Sequence, residues 1–181
     1  IPHSSGTSSD EITLGRTIVF DIFPCEKGGG YFHDFTRTWC VGYASEEVQQ
    51  AYDEVKQTYH TVVDQLQING PFKQAQIDTV EAFKAIGHAT IAEDPATLEG
   101  YIHSVGHGVG LNIHELPFSG ATASEKEILA PGAVFTIEPG LYYPSKDFGI
   151  RLEDTYVVRP DGRIETLVEY PMDLVLHLKN G

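Results

Sequence analysis

Four carboxylates stand where apolar strand residues are expected, and their type and placement suit them to chemistry. Asp21 interrupts Val19-Phe20-Asp21-Ile22-Phe23, and Asp34 sits inside Phe32-His33-Asp34-Phe35. Glu138 ends Val134-Phe135-Thr136-Ile137, and Glu153 follows Gly149-Ile150-Arg151-Leu152. An isolated buried carboxylate is costly, so each must be protonated, paired or metal-bound. Taken singly, each acid reads as a strand-edge or salt-bridged residue, with Arg37 and Arg151 as the nearby cations in sequence. Four acids on four strand-like segments are a different matter when a histidine cluster accompanies them. His103, His107 and His114 lie among glycines between Tyr101 and Pro117, and a Gly-flanked histidine has a backbone that can bend close to an ion or ligand. One neutral imidazole with four carboxylates is a hard-leaning donor set, suited to manganese, magnesium, iron or cobalt more than to thiolate-type zinc. Two divalent cations would cancel the four carboxylates and take the net charge from −14 to −10. Such a pair, about 3.5–4 Å apart, supplies hydroxide near neutral pH and a Lewis acid for a carbonyl. The chemistry these residues point to is metal-assisted hydrolysis.

The elements that must position them alternate between β-like and helical patterning. Residues 17–23 are β-branched and aromatic and read as a strand, Gly28-Gly29-Gly30 as a turn, and 31–41 as the returning strand of a hairpin. Ser45 with Glu46 and Glu47 opens a helix that runs to Leu66 and is stopped by Asn69-Gly70-Pro71. A second helix fits 75–91, and residues 100–120 read as loop and strand. Short strands follow at 133–138, 148–158 and 164–167, with turns at Pro139-Gly140 and Asp161-Gly162. This order predicts an α+β fold with a largely antiparallel sheet.

Length and composition narrow the reading further. At about 150 residues per domain, 181 residues make one domain or slightly more. Twelve basic against 26 acidic residues exclude a nucleic-acid backbone binder, which needs clustered cations. No window approaches the ~20 apolar residues of a membrane-spanning helix, so no membrane partner is expected. Cys25 and Cys40 form neither a disulfide framework nor a CxxC pair and suit a reducing, cytoplasmic setting. The chain opens Ile1-Pro2-His3 without an initiator Met, and the expectation is a piece cut from something longer, whose upstream targeting signals would be invisible.

Five segments together resemble the pita-bread metallopeptidases, the family of methionine aminopeptidase, aminopeptidase P, prolidase and the metal-free creatinase. They are Phe20-Asp21, His33-Asp34 through Thr38, Gly106-His107 through Gly110 with His114-Glu115, Thr136-Ile137-Glu138-Pro139-Gly140, and Gly149 through Asp154. The resemblance runs from His3 to about Arg159. It implies a curved, largely antiparallel sheet covered by helix pairs. One helix pair is present here; the first part of the fold would precede Ile1, making residues 1–181 a C-terminal catalytic domain. The resemblance further implies that Asp21 holds one metal, that Asp34 and Glu153 bridge both, and that His107 and Glu138 bind the other. Manganese is the first expectation, with cobalt, iron or zinc as alternatives. Glu138 would also manage the proton of the attacking bridging water. His103 and His114 would donate to the scissile carbonyl and its oxyanion, His3 would contact substrate, and Arg151 would orient ligands or the substrate carboxylate. Arg37 is expected to be structural.

A histidine four residues before the ligand histidine resembles the proline-directed members more than methionine aminopeptidase. The implied substrate is therefore a small peptide with proline at the second position, cleaved as a dipeptide or from a longer chain. The alternatives are a methionine aminopeptidase-type activity or a catalytically silent binding domain on the same fold. A homodimer is expected by analogy with relatives. The 13 positions from Asp21 to Asp34 exceed the family's usual hairpin by about two, yet an odd spacing keeps the facing parity of the two side chains. His33, His60, His88 and His177 read as surface or partly buried histidines and Cys25 as inert. Trp39, Tyr52 and Tyr59 read as core aromatics, and Tyr142-Tyr143-Pro144 as a strand-end aromatic pair rather than a pocket edge.

Overall fold

The computed structural model describes residues 10–178. Strand β1 (Thr17–Ile22) pairs antiparallel with β2 (Phe35–Val41) in a register that sets Asp21 opposite Thr36. Asp34 lies two positions before Thr36, so the parity expected of the long hairpin holds. The returning strand is shorter than the 31–41 expected, because 23–34 forms the hairpin's turn apart from a single bridge between Cys25 and Phe32. Gly28 and Gly29 carry φ of 99° and 105° in that turn, a conformation that a side chain would oppose. Strand β10 (Val175–Leu176), which no sequence signal marked, adds parallel to β2.

Helix α1 (Glu46–Gln65) begins where Ser45 accepts a hydrogen bond from the Val48 amide at 3.3 Å, and Glu46 and Glu47 face the positive end of its dipole. Its buried stripe is Val48, Ala51, Tyr52, Val55, Tyr59 and Val62, so Tyr52 and Tyr59 are core residues as expected. Helix α2 (Lys73–Ala85) ends six residues before the expected 91. Phe83 is its last buried anchor, and Gly87 at φ 93° turns the chain away while the His88 amide caps the Phe83 carbonyl at 3.0 Å. Ile86 and Ile91 continue the apolar spacing of a helix, but the glycine between them stops it.

The remaining strands form a five-stranded antiparallel sheet and a separate ribbon. The sheet runs in the order β4 (Glu115–Ser119), β3 (Gly106–Gly108), β5 (Val134–Ile137), β8 (Asp154–Val158) and β9 (Ile164–Thr166). The ribbon pairs β6 (Gly140–Tyr143) with β7 (Phe148–Arg151). The single strand expected over 148–158 is thus two strands with different partners, broken at Leu152-Glu153. At the break Glu153 forms a backbone bridge with Thr36, its amide donating to the Thr36 carbonyl at 3.0 Å. Glu153 therefore joins the hairpin, the ribbon and the larger sheet.

Arg37 secures that junction. It is 1% exposed; its Nη1 donates to the Glu153 carbonyl and its Nη2 to Asp154 Oδ1, both at 2.8 Å. Tyr59 of α1 donates to the other Asp154 oxygen at 2.6 Å. Arg37 is structural, as the sequence suggested. Breaking a buried pair by removing one partner leaves an uncompensated charge and costs about 3–5 kcal/mol. Arg37→Met is therefore expected to lower unfolding free energy by about that amount, read from urea midpoints at constant slope; a change below about 1 kcal/mol would contradict this role.

Candidate metal centre

Asp21 comes from the end of β1, Asp34 from just before β2, His107 from β3, Glu138 from just after β5, and Glu153 from the break between β7 and β8. Three sets of their side-chain ligand atoms, each set lying within 4.8 Å, overlap at one place. They are Asp34, His107 and His114; His107, Glu138 and Glu153; and Asp21, Asp34 and Glu153. Asp34, His107, Glu138 and Glu153 are buried and Asp21 partly so. A cavity of about 190 Å³ opens over them, with Phe23 and Ile113 as its apolar walls and His114 at the exposed rim.

Threonines two positions from the acids hold three of the strands in place. Thr36 donates to Glu153 Oε2 at 2.6 Å, and Thr155 donates to the Asp34 carbonyl at 2.7 Å. Thr136, two before Glu138, accepts from the His107 amide at 3.2 Å. Glycines let β3 approach: a Cβ on Gly106 would lie 2.1 Å from the Thr136 carbonyl oxygen, and one on Gly108 2.3 Å from that of Leu116. Both positions need the missing side chain, which is why His107 is flanked as it is.

The electrostatics are those of a crowded anionic site. Burial, then the Asp21 carboxylate, pushes Asp34 up to about 7. Burial raises Glu138 to about 8, with Asp34 and Asp21 adding to the effect and the Arg151 guanidinium opposing it. Burial, then Glu138 and Asp34, holds Glu153 well above the usual carboxylate range. Arg151 answers only part of this charge: its Nη2 donates to Asp21 Oδ2 at 2.6 Å and its Nε to Thr36 Oγ1 at 3.2 Å.

The donor set fits a divalent cation. His107 Nδ1 donates to the Gly108 carbonyl at 3.0 Å, which leaves Nε2 as a lone pair. That nitrogen lies 3.5 Å from both Asp34 Oδ2 and Glu138 Oε1. Three acceptors facing one another at such separations require a proton or a cation among them. Carboxylate and imidazole donors with no thiolate suit a hard or borderline metal.

The expected substrate-side residues are distributed differently from one another. His114 joins the cluster, its ring centroid 4.3 Å from that of His107. His103 does not line the cavity; its Nδ1 lies 2.7 Å from the Ser104 carbonyl and its Nε2 3.0 Å from the Tyr142 hydroxyl. Arg151 Nη1 donates to the same hydroxyl at 3.0 Å. Tyr142 is thus more than a strand-end aromatic, since it links His103 to Arg151. His3 lies outside the described residues. His88, read as a surface or partly buried histidine, is partly buried between Glu54, at 2.9 Å, and Tyr143, at 2.5 Å.

An acid whose folded pKa is raised stabilises the fold below its unfolded value and loses that contribution as pH rises through the folded one. The metal-free chain should therefore lose stability between about pH 5 and pH 9. Glu138→Gln should flatten that decline and stabilise the metal-free chain at pH 9 by about 1–3 kcal/mol. Denaturant titrations across this pH range test it, and a destabilised, equally pH-dependent variant would contradict it.

Comparison with known proteins agrees with this geometry. The model of metallopeptidase family M24 matches residues 1–160. The chain is 34% identical over 166 residues to the Xaa-Pro dipeptidase of Pyrococcus furiosus, covering 90% of this chain and 42% of that protein. It is 32% identical over 163 residues to the probable dipeptidase PepE of Mycobacterium tuberculosis, covering 90% and 40% respectively. A solved dipeptidase from Pyrococcus horikoshii OT3 superposes with a TM-score of 0.79 at 31% identity, over 93% of this chain and 43% of that one. The prolidase from Pyrococcus furiosus gives 0.76 at 32%, over 91% and 44%. The chain thus spans less than half the length of these relatives, and the fold it shares with them is the pita-bread arrangement. Among the described residues no helix is long and apolar enough to cross a membrane. With that family's model matching residues 1–160 of the 181, the chain belongs to metallopeptidase family M24.

Proposed function

We propose that this domain hydrolyses the peptide bond preceding proline in small peptides, using two divalent cations, manganese first. The convergence of four carboxylates and His107 on one cavity, with donor atoms in overlapping sets within 4.8 Å, carries the proposal. The names of the relatives, Xaa-Pro dipeptidase and prolidase, support the substrate class. Asp21 would hold one cation, Asp34 and Glu153 both, and His107 and Glu138 the other. Bound there, the cations would supply Lewis acidity and make water acidic enough to attack near neutral pH.

The chain's own residues supply positioning and proton transfer. Glu138, raised to about 8 by burial in the metal-free site, accepts the proton of the attacking water at its carboxylate. It returns that proton to the proline nitrogen as the C–N bond breaks, so the peptide leaves as a free acid and a free amine. His114, at the rim, donates to the carbonyl oxygen as it gains negative charge. Arg151 fixes the orientation of Asp21 through its 2.6 Å contact. His103 stands back from the cavity and reaches Arg151 through the Tyr142 hydroxyl. A cytoplasmic location and a homodimer accord with this reading.

With Mn²⁺ or Co²⁺ added, Gly-Pro, Ala-Pro or longer Xaa-Pro peptides should be hydrolysed. Glu138→Ala should lower kcat/KM by about 10²–10⁴-fold, while circular dichroism shows it folded. Cleavage of a Met-initiated peptide with none of the Xaa-Pro series would move the site to a methionine aminopeptidase activity. Saturable metal binding without any turnover would favour a silent binding domain.

A further inference from the structure

We infer that Gln76, buried in α2, is a positioning residue for the metal centre: it holds the segment 101–105 to which Glu138 is bonded, and so sets where the Glu138 carboxylate meets its cation. This deepens the peptidase reading above and rests on it for the assignment of Glu138 to one of two cations. Gln76 is 3% exposed and shares the buried face of α2 with Ala75, Thr79 and Phe83. A buried amide is costly unless its hydrogen bonds are made, and an apolar side chain would fill the same space without that cost. The partners of the amide therefore show what the position is for.

All three of those partners lie on one segment. Oε1 accepts from the Val105 amide at 2.7 Å and from the Tyr101 hydroxyl at 2.8 Å, and Nε2 donates to the His103 carbonyl at 3.3 Å. The side chain cannot be turned over, because an amide N–H only donates and a carbonyl only accepts. Tyr101 and Val105 are fully buried, so these bonds are made away from water. The contacts bracket His103 on both sides and fix the backbone that carries it.

Val105 passes the constraint on. Its amide is held by Gln76, and its carbonyl accepts from the Glu138 amide at 2.7 Å. The next residue, Pro139, has no N–H to give, and its carbonyl accepts from the Leu152 amide at 3.4 Å. The Val105 carbonyl is thus the shorter of the two backbone anchors around the Glu138 side chain. Asp21 and Asp34 belong to the hairpin and are held through Arg151 and Thr155 instead. A shift of 101–105 therefore moves the ligands of one cation more than those of the other. The Val105 amide also donates to the Ser119 carbonyl at 3.2 Å, so loss of Gln76 displaces the segment without stripping that N–H of every partner.

The test compares the chain with Gln76→Leu, which removes all three bonds, and Gln76→Asn, which withdraws the amide by one methylene and is read in the same way should the first not fold. Thr79→Val is the control: it removes the 2.7 Å bond from Thr79 Oγ1 to the Ala75 carbonyl on the same buried face and touches none of residues 101–105. In calorimetric titrations each Gln76 variant should weaken one of two Mn²⁺ ions by about 10–100-fold and the other by less than about threefold. With both ions loaded, kcat for Ala-Pro should fall by about tenfold or more while KM changes by less than about threefold. In the metal-free chain the Glu138 amide resonance should move in both Gln76 variants and stay in place in Thr79→Val. An unmoved Glu138 amide, equal weakening of both ions, or losses that Thr79→Val reproduces would each overturn the proposal, leaving Gln76 as a fastening of the helix. If the unmodified chain cleaves no Xaa-Pro peptide while the Glu138 amide moves and one ion alone is weakened, the substrate class fails and the positioning role stands.

Discussion

The mutual repulsion of buried carboxylates is the constraint around which this domain is organised. Asp34, Glu138 and Glu153 are buried side by side, with Asp21 at their edge, and burial first, then the neighbouring carboxylates, raises the proton affinity of the three buried acids. Arg151 is a guanidinium that faces them, and its Nη2 donates to Asp21 Oδ2 at 2.6 Å. One cation cannot balance four carboxylates, so the remainder must be met by protons or metal ions. At acid pH protons can meet it; near neutral pH divalent cations would do so.

The architecture holds those groups together against their repulsion. A fold relying on one strand for several acids would splay them to alternate faces; here each comes from a different segment. The break at Leu152-Glu153 brings one acid to the place where hairpin, ribbon and sheet meet. Thr36, Thr136 and Thr155 tie neighbouring strands with side-chain hydrogen bonds at the same level. Arg37, Asp154 and Tyr59 do the equivalent behind the site, joining β2 and β8 to α1. The site and the core share residues next to one another in sequence, Glu153 lining the cavity and Asp154 bonded to Tyr59 of the helix, so the break before β8 serves both.

Much of this was legible from residue type. Charged residues inside β-branched and aromatic runs stand out because burial penalises them, and they identified Asp21, Asp34, Glu138 and Glu153 before any geometry. Ser45 with its two following glutamates marked the start of α1 for an equally local reason. Features that depend on long-range pairing were harder to read. The run from Phe148 to Val158 has the composition of one strand, and only its partners divide it. Helix α2 seemed longer because Ile86 and Ile91 preserve its apolar period across Gly87. The two-residue β10 has no pattern of its own and exists through its pairing with β2. Tyr142 was read as a packing residue because an aromatic at a strand end carries no mark of its hydroxyl's partners, His103 and Arg151.

The account stands most directly on metal stoichiometry. Calorimetric titration of the metal-free chain with Mn²⁺ at pH 8, beside Asp34→Asn and Glu153→Gln, measures it. Two ions should bind per chain, with proton release, because the raised carboxylates must ionise to accept them. Each substitution should weaken both ions together, since each residue belongs to two of the overlapping donor sets. Binding of no ion, or saturable binding indifferent to both substitutions, would contradict the account.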